Sequence, residues 1–94
     1  MLSKIPINLE KVEEKNLDAE ILRAGVIAEL DAINLYEQMA AMAKDKNIKA
    51  ILLDIAKEEK THVGEFQALL LNRDKQQVEE LEAGKKEIKE EVGE

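Results

Sequence analysis

The 94-residue sequence has no cysteine and no tryptophan, and only one proline, one tyrosine and one phenylalanine. Without cysteine the chain cannot form a disulfide, a thiolate nucleophile or a cysteine-ligated iron–sulfur centre, so a cytoplasmic location is expected. Only four glycines accompany the single proline, so the turn residues of a many-stranded sheet are missing. The apolar residues that remain are mostly Leu, Ile, Val, Ala and Met, many of which favour helices. The composition therefore predicts an all-α protein.

Long apolar runs and excess positive charge are also absent. No stretch of about eighteen apolar residues occurs, so a membrane-spanning helix is not expected. The chain has 14 Lys and Arg against 21 Asp and Glu, and its net charge is −7. This charge repels nucleic-acid phosphates and anionic lipid headgroups. Nucleic acids and membranes are therefore not expected as partners.

Helical periodicity begins after a short N-terminal segment. Residues 1–16 lack it and are predicted to form an extended arm. Residues 17–44 and 48–71 have apolar residues three and four apart, with a polar break between them. This pattern predicts two long helices in an antiparallel hairpin. Residues 74–92 predict a third, more polar helix that opens with a capping box and is interrupted or weakened at Gly84.

Such a hairpin cannot bury its apolar surface alone. Two helices of roughly 25 residues, each about 38 Å long, cannot cover each other's apolar stripes. In the first helix, further apolar residues lie beside or opposite the main stripe: Ile21, Ile27, Leu30 and Leu35. The simplest closure is a two-fold dimer in which two hairpins form a four-helix bundle. Residues 1–94 are thus expected to be a single half-bundle domain, and spare apolar surface could join dimers into larger assemblies.

Three polar residues stand within the apolar stripes: Glu29 in the first helix, and Glu59 and His62 in the second. Glu59 and His62 are three residues apart and therefore share a helix face. A buried carboxylate is costly unless it is protonated, paired or bound to a cation, and no Lys or Arg lies near these residues on the stripes. We therefore predict a metal site. A two-fold dimer doubles the set to four Glu and two His, the ligands of di-iron and di-manganese carboxylate bundles.

The residues around this set resemble a known family. Residues 27–37 (IAELDAINLYE) and 56–66 (AKEEKTHVGEF) look like the encapsulated ferritin-like proteins, including the ferritin-like domain fused to the front of some archaeal encapsulin shell proteins. The similarity covers both long helices and continues into the third. It implies a ferritin-like four-helix bundle formed by two subunits.

The resemblance implies a ferroxidase that oxidises Fe(II) to Fe(III) at a di-iron centre between two subunits. Glu29 and His62 would be terminal metal ligands, and Glu59 would bridge the two irons. Tyr36 matches a tyrosine near the centre and completes the expected catalytic set.

The resemblance also implies an assembly and a compartment. Dimers would join into a ring-like oligomer, expected to be a decamer, and an encapsulin shell would store the iron mineral inside a cytoplasmic nanocompartment. Residues 87–94 do not look like a shell-targeting peptide, so either a shell domain follows in a longer chain or another route applies. On the metal access path of some relatives, Asp31 matches an acidic position whereas Ala28 does not.

Alternatives remain for the metal, the reaction and the residues. Iron is the expected metal, but Mn and Zn suit the same ligands, and peroxide is an alternative oxidant to dioxygen. The runner-up function is a non-catalytic helical oligomerisation module with structural zinc or no metal. In that case Glu59 and His62 would lie on a solvated helix face and Glu29 would be a partly buried, hydrogen-bonded acid. Tyr36 fits simple core packing equally well.

Overall fold

The computed structural model describes residues 8–94, and every regular element in that range is helical. A 3-10 turn at Leu9–Lys11 is followed by three α-helices, which we name α1 (Glu14–Met42), α2 (Lys46–Leu71) and α3 (Lys75–Val92). The all-α prediction is therefore confirmed for the described residues. No helix in that range has both the length and the hydrophobicity needed to cross a bilayer.

The N-terminal end of α1 differs from the predicted boundary. The helix begins at Glu14, three residues before the expected start at residue 17, because Glu14 and Lys15 are good helix formers. The expected extended arm is also partly helical, since it contains the 3-10 turn at Leu9–Lys11. Residues 1–7 of that arm lie outside the described residues.

The loop between α1 and α2 has the predicted length of three residues but lies two residues earlier, because α1 ends at Met42 instead of residue 44 and α2 begins at Lys46. Asp45 caps α2, because its Oδ1 atom accepts hydrogen bonds from the backbone N–H groups of Asn47 at 2.8 Å and Ile48 at 3.0 Å. These bonds satisfy N–H groups that have no partner inside the helix. The helix can therefore start at Lys46, two residues before the predicted position.

Helix α3 starts at the predicted cap but does not break where expected. Asp74 is its N-cap and accepts a hydrogen bond from the Gln77 N–H group at 3.0 Å. The expected interruption at Gly84 is wrong, because α3 runs through it to Val92. A helical glycine costs only about 1 kcal/mol relative to alanine. Gly93, at φ 77°, then ends the helix in the left-handed conformation.

The hairpin core of α1 and α2 is small. Among the described residues, the buried apolar side chains are Ile33, Ala40, Ala56 and Leu70. Larger apolar side chains on all three helices remain exposed, among them Ile21, Ile27, Leu30, Ile51, Leu53, Leu69, Leu81 and Ile88. Much of the apolar surface of the hairpin is therefore available to a partner.

The shape of the chain is correspondingly extended. Its radius of gyration is 16.5 Å, whereas a compact domain of this length would have about 12 Å. Helix α3 contacts mainly α2, and an ion pair joins it to α1, with Arg23 Nη1 3.2 Å from Asp74 Oδ2. Because Asp74 also caps α3, one side chain links the start of α3 to α1.

Candidate metal centre

The donors of Glu29, Glu59 and His62 meet at the contact between α1 and α2. His62 Nδ1 lies 3.4 Å from Glu59 Oε2 and 3.5 Å from Glu29 Oε2. One donor atom from each of the three residues lies within 4.8 Å of the others. Two ligands bound to a tetrahedral ion through bonds of about 2.1 Å are separated by about 3.4 Å. The spacing between the imidazole and each carboxylate therefore suits a single first-row metal ion.

The two carboxylates are more deeply buried than the imidazole. The side chains of Glu29 and Glu59 are each 18% exposed, whereas that of His62 is 45% exposed. Within the described structure, Glu29 Oε2 is shielded from solvent and has no hydrogen-bond partner. Its 3.5 Å separation from His62 is too long for a good hydrogen bond. A bound cation would compensate this shielded oxygen, so the three residues fit a metal ion.

Two open grooves border the three donors. The first is lined by Glu29, His62, Glu65, Phe66 and Leu69. The second is lined by Ala28, Glu29, Asp31, Ala32, Leu35, Tyr36 and Glu59. In the described part of the chain, neither groove is lined by a lysine or an arginine. Among residues 8–94, no cationic side chain therefore lines these grooves to compete with a metal ion.

The structure brings the predicted ligands together and places Tyr36 beside them. Glu29, Glu59 and His62 form the donor group, and Tyr36 shares the second groove with both carboxylates. Asp31 and Ala28, the two positions compared with the metal access path, line that same groove. The catalytic roles of all these residues remain predictions.

One contact next to the donors was not foreseen from the sequence. The Phe66 ring packs directly against the backbone of α1 at Gly25. Gly25 precedes Glu29 by four residues and Phe66 follows His62 by four, so this contact lies one helical turn from the Glu29–His62 pair. The signal was present in the sequence, because antiparallel helices that pair residues 29 and 62 also pair 25 and 66.

A family model described as EncFtn-like matches residues 5–84 of the chain. The chain belongs to the EncFtn-like family. A crystal structure of the encapsulated ferritin domain from Pyrococcus furiosus is similar to this EncFtn-like chain, with a TM-score of 0.86 and 57% sequence identity. The match covers 100% of this chain and 98% of that one. The resemblance and the ferritin-like helical fold are therefore confirmed.

Two curated relatives of this EncFtn-like chain have encapsulin in their names. The ferritin-like-encapsulin shell fusion protein of Pyrococcus furiosus is 59% identical over 95 residues, which cover 99% of this chain and 28% of the relative. The encapsulin nanocompartment cargo protein EncC of Myxococcus xanthus is 36% identical over 69 residues, covering 70% of this chain and 53% of the relative. The chain thus spans between about a quarter and a half of the length of these relatives.

Proposed function

We propose that this EncFtn-like chain is a ferroxidase that oxidises Fe(II) at a di-iron centre formed between two subunits. The proposal depends on one observation: Glu29, Glu59 and His62 offer donors within 4.8 Å of one another, and one shielded oxygen of Glu29 has no hydrogen-bond partner. Three donors from one chain leave coordination positions of an ion open. A second, symmetry-related chain would supply the remaining ligands for two ions.

Exposed apolar residues beside the donors support a second copy as the partner. Leu69 lines the first groove with Glu29 and His62 and is 47% exposed, while Leu30, which follows Glu29, is 51% exposed. Ile27 adds a further apolar side chain that is 45% exposed. Burying such side chains yields about 25 cal/mol per Å² of apolar area. In this proposal residues 1–94 form one half-bundle domain, and two copies close into a four-helix bundle.

The protein residues bind and orient the metal ions in this reaction. Iron is the proposed substrate, and each Fe(II) loses one electron to an oxidant, either dioxygen or peroxide. Mn and Zn suit the same ligands, but Zn(II) is redox-inert and would only occupy the site. Glu59 would bridge the two ions, and Glu29 and His62 would be terminal ligands. The carboxylates favour Fe(III) over Fe(II), because their attraction to the ion increases with its charge. Tyr36 would lie beside the centre, in the groove that it shares with both carboxylates.

The names of the relatives support a proposal for where in the cell this reaction occurs. One is called a fusion with an encapsulin shell and the other an encapsulin cargo protein. We therefore place the chain in a cytoplasmic encapsulin nanocompartment, as a dimer within a ring-like decamer. A ring of hairpins does not enclose a cavity, so the shell rather than this chain would hold the mineral.

Iron oxidation by metal-free protein tests the activity. Fe(II) is added aerobically and the ferric absorbance is followed against a buffer blank. We expect a much faster rise with the wild type than with buffer, and a rate close to the blank for Glu59→Ala. Glu58→Ala is the matched control, because Glu58 is the exposed neighbour of Glu59 on the same helix and should leave the rate unchanged. A wild-type rate equal to the blank would favour a non-catalytic module.

Metal content and assembly are tested separately. Metal analysis of protein purified without added metal identifies the bound ion, and light scattering with and without Zn(II) gives the mass. We expect Zn(II), which is redox-inert, to shift the chain toward dimers and larger rings. An unchanged mass, at a concentration where the metal-free chain is monomeric, would contradict a centre shared between subunits.

A further inference from the structure

The contact between Gly25 and Phe66 leaves no room for a side chain on α1. A Cβ atom placed at Gly25 would lie 2.9 Å from Cδ1, 3.0 Å from Cε1 and 3.1 Å from Cγ of Phe66. Carbon atoms in favourable contact are about 3.5–4.0 Å apart. A methyl group at residue 25 would therefore have to displace the ring or the helix by roughly 0.5–1 Å. The ring is flat and rigid, so it cannot yield by bending.

The close contact between Gly25 and Phe66 matters because the donors Glu29 and His62 lie one helical turn away. Gly25 and Glu29 are four residues apart on α1, and His62 and Phe66 are four residues apart on α2. Phe66 also lines the groove that contains Glu29 and His62. Metal–ligand distances in a working site hold to within about 0.2 Å. A displacement several times larger, one helical turn from the donors, would change the separation of the Glu29 carboxylate from His62.

Helix propensity argues against glycine at this position. Gly25 lies inside α1, where glycine is less favourable than alanine by about 1 kcal/mol. Its φ is not positive, so the backbone conformation does not require glycine. The structure gives a different reason for glycine at this position, which is the close approach of the Phe66 ring.

We propose that Gly25 is a positioning residue of the metal centre: its missing side chain admits the Phe66 ring, which sets the α1–α2 separation at which Glu29 and His62 share one ion. This proposal rests on the proposed function, because it assumes that the donors bind metal. Gly25 has no side chain and would not be a ligand itself. It acts through Phe66 on the distance between two ligands.

A double-mutant cycle tests the proposal, with Zn(II) affinity of metal-free protein measured by calorimetry. The four proteins are the wild type, Gly25→Ala, Phe66→Leu and the double variant. We expect Gly25→Ala to weaken Zn(II) binding by about 10–100-fold, the range seen when residues that orient metal ligands are changed. In the Phe66→Leu background the same change should weaken binding far less, because the smaller, flexible side chain can move aside.

Gly64→Ala is the matched control. Gly64 lies inside α2, two residues after His62, and a Cβ atom placed there would have nothing within 4 Å in the described chain. Its Zn(II) affinity should match that of the wild type. Far-ultraviolet circular dichroism of each metal-free protein checks helix content, so that a loss of affinity in a folded variant is assigned to the site.

Each outcome decides between the two proposals. Wild-type affinity in Gly25→Ala, or an equal loss in both backgrounds, would overturn the positioning role and leave the proposed function standing. A wild-type chain that binds no Zn(II) and oxidises no iron would overturn the proposed function, and the positioning role with it. If Gly25→Ala fails to fold, a folded double variant supports the ring as the cause, and an unfolded double variant overturns it.

Discussion

Replacing Glu29 by glutamine is expected to stabilise the metal-free chain and to destabilise the metal-bound one relative to the wild type. In the wild type, Glu29 Oε2 is shielded and has no hydrogen-bond partner. An unsatisfied buried group of this kind costs about 1–3 kcal/mol, and more when charged. In Glu29→Gln the side-chain amide is neutral, and its N–H could donate to the carboxylate of Glu59, whose donor atom lies within 4.8 Å of that of Glu29. We therefore expect the metal-free free energy of unfolding to rise by about 1 kcal/mol or more.

The stability difference between Glu29→Gln and the wild type should change sign when metal is added. With free Zn(II) at about 100 times the wild-type Kd, a bound ion adds about 2.7 kcal/mol to the stability of the wild type. A variant that binds about 100-fold more weakly gains only about 0.4 kcal/mol at the same Zn(II) concentration. The variant starts about 1 kcal/mol more stable without metal but gains about 2.3 kcal/mol less from Zn(II). In Zn(II), Glu29→Gln should therefore be about 1 kcal/mol less stable than the wild type.

Urea unfolding followed by circular dichroism measures both states, one in chelator and one in Zn(II). Protein concentration must be the same throughout, because the stability of an oligomer depends on it. The matched control is Glu58→Gln, which changes an exposed carboxylate on α2 and should alter neither state. A loss of metal-free stability in Glu29→Gln, or a gain from Zn(II) as large as that of the wild type, would refute this reasoning.

Three further predictions concern the electrostatic steering of Fe(II), the Arg23–Asp74 ion pair at the start of α3, and the retention of iron. Raising ionic strength from 0.1 to 1 M shortens the Debye length from about 10 to about 3 Å, so stopped-flow Fe(II) uptake by a chain of net charge −7 should slow; an unchanged rate would exclude electrostatic steering. Arg23→Ala removes a partly exposed ion pair and should lower the free energy of unfolding by at most about 1 kcal/mol. Asp74→Ala also removes the cap of α3 and should lower it further, by about 1–2 kcal/mol in total; equal values for the two variants in urea unfolding would contradict the double role of Asp74. The isolated protein should oxidise iron yet retain little of it after gel filtration, and hundreds of iron atoms retained per oligomer would contradict storage by a shell.

Helical periodicity was sufficient to group the candidate ligands. Glu29 stands among apolar residues at spacings of three and four, and so do Glu59 and His62, so their helix faces could be read without a structure. Periodicity gives a direction around the helix axis but not a depth. It could not show that Glu29 Oε2 is shielded while His62 remains 45% exposed, because that depends on how closely α1 and α2 approach.

Local hydrogen bonds and single contacts account for the features that the sequence did not predict. The start of α2 is set by two hydrogen bonds to Asp45, and counting apolar positions does not reveal a cap that precedes the first apolar residue. The low helix propensity of glycine predicts an interruption at Gly84, whereas the helix continues through it and ends at Gly93. The contact of Gly25 with Phe66 needs the register between two helices, which becomes known only after Glu29 is paired with His62.

The unequal exposure of the three donors indicates where a second subunit would approach. The carboxylates of Glu29 and Glu59 are largely covered, whereas the imidazole of His62 faces an open groove with Phe66 and Leu69 in its lining. In the proposed dimer, a copy that covers this apolar groove would also bring its own carboxylates toward those of the first chain, and without metal these like charges would repel one another. A cation between them would turn that repulsion into attraction. Metal binding and dimerisation would then be thermodynamically linked, so that if metal strengthens the dimer by a given factor, dimerisation strengthens metal binding by the same factor.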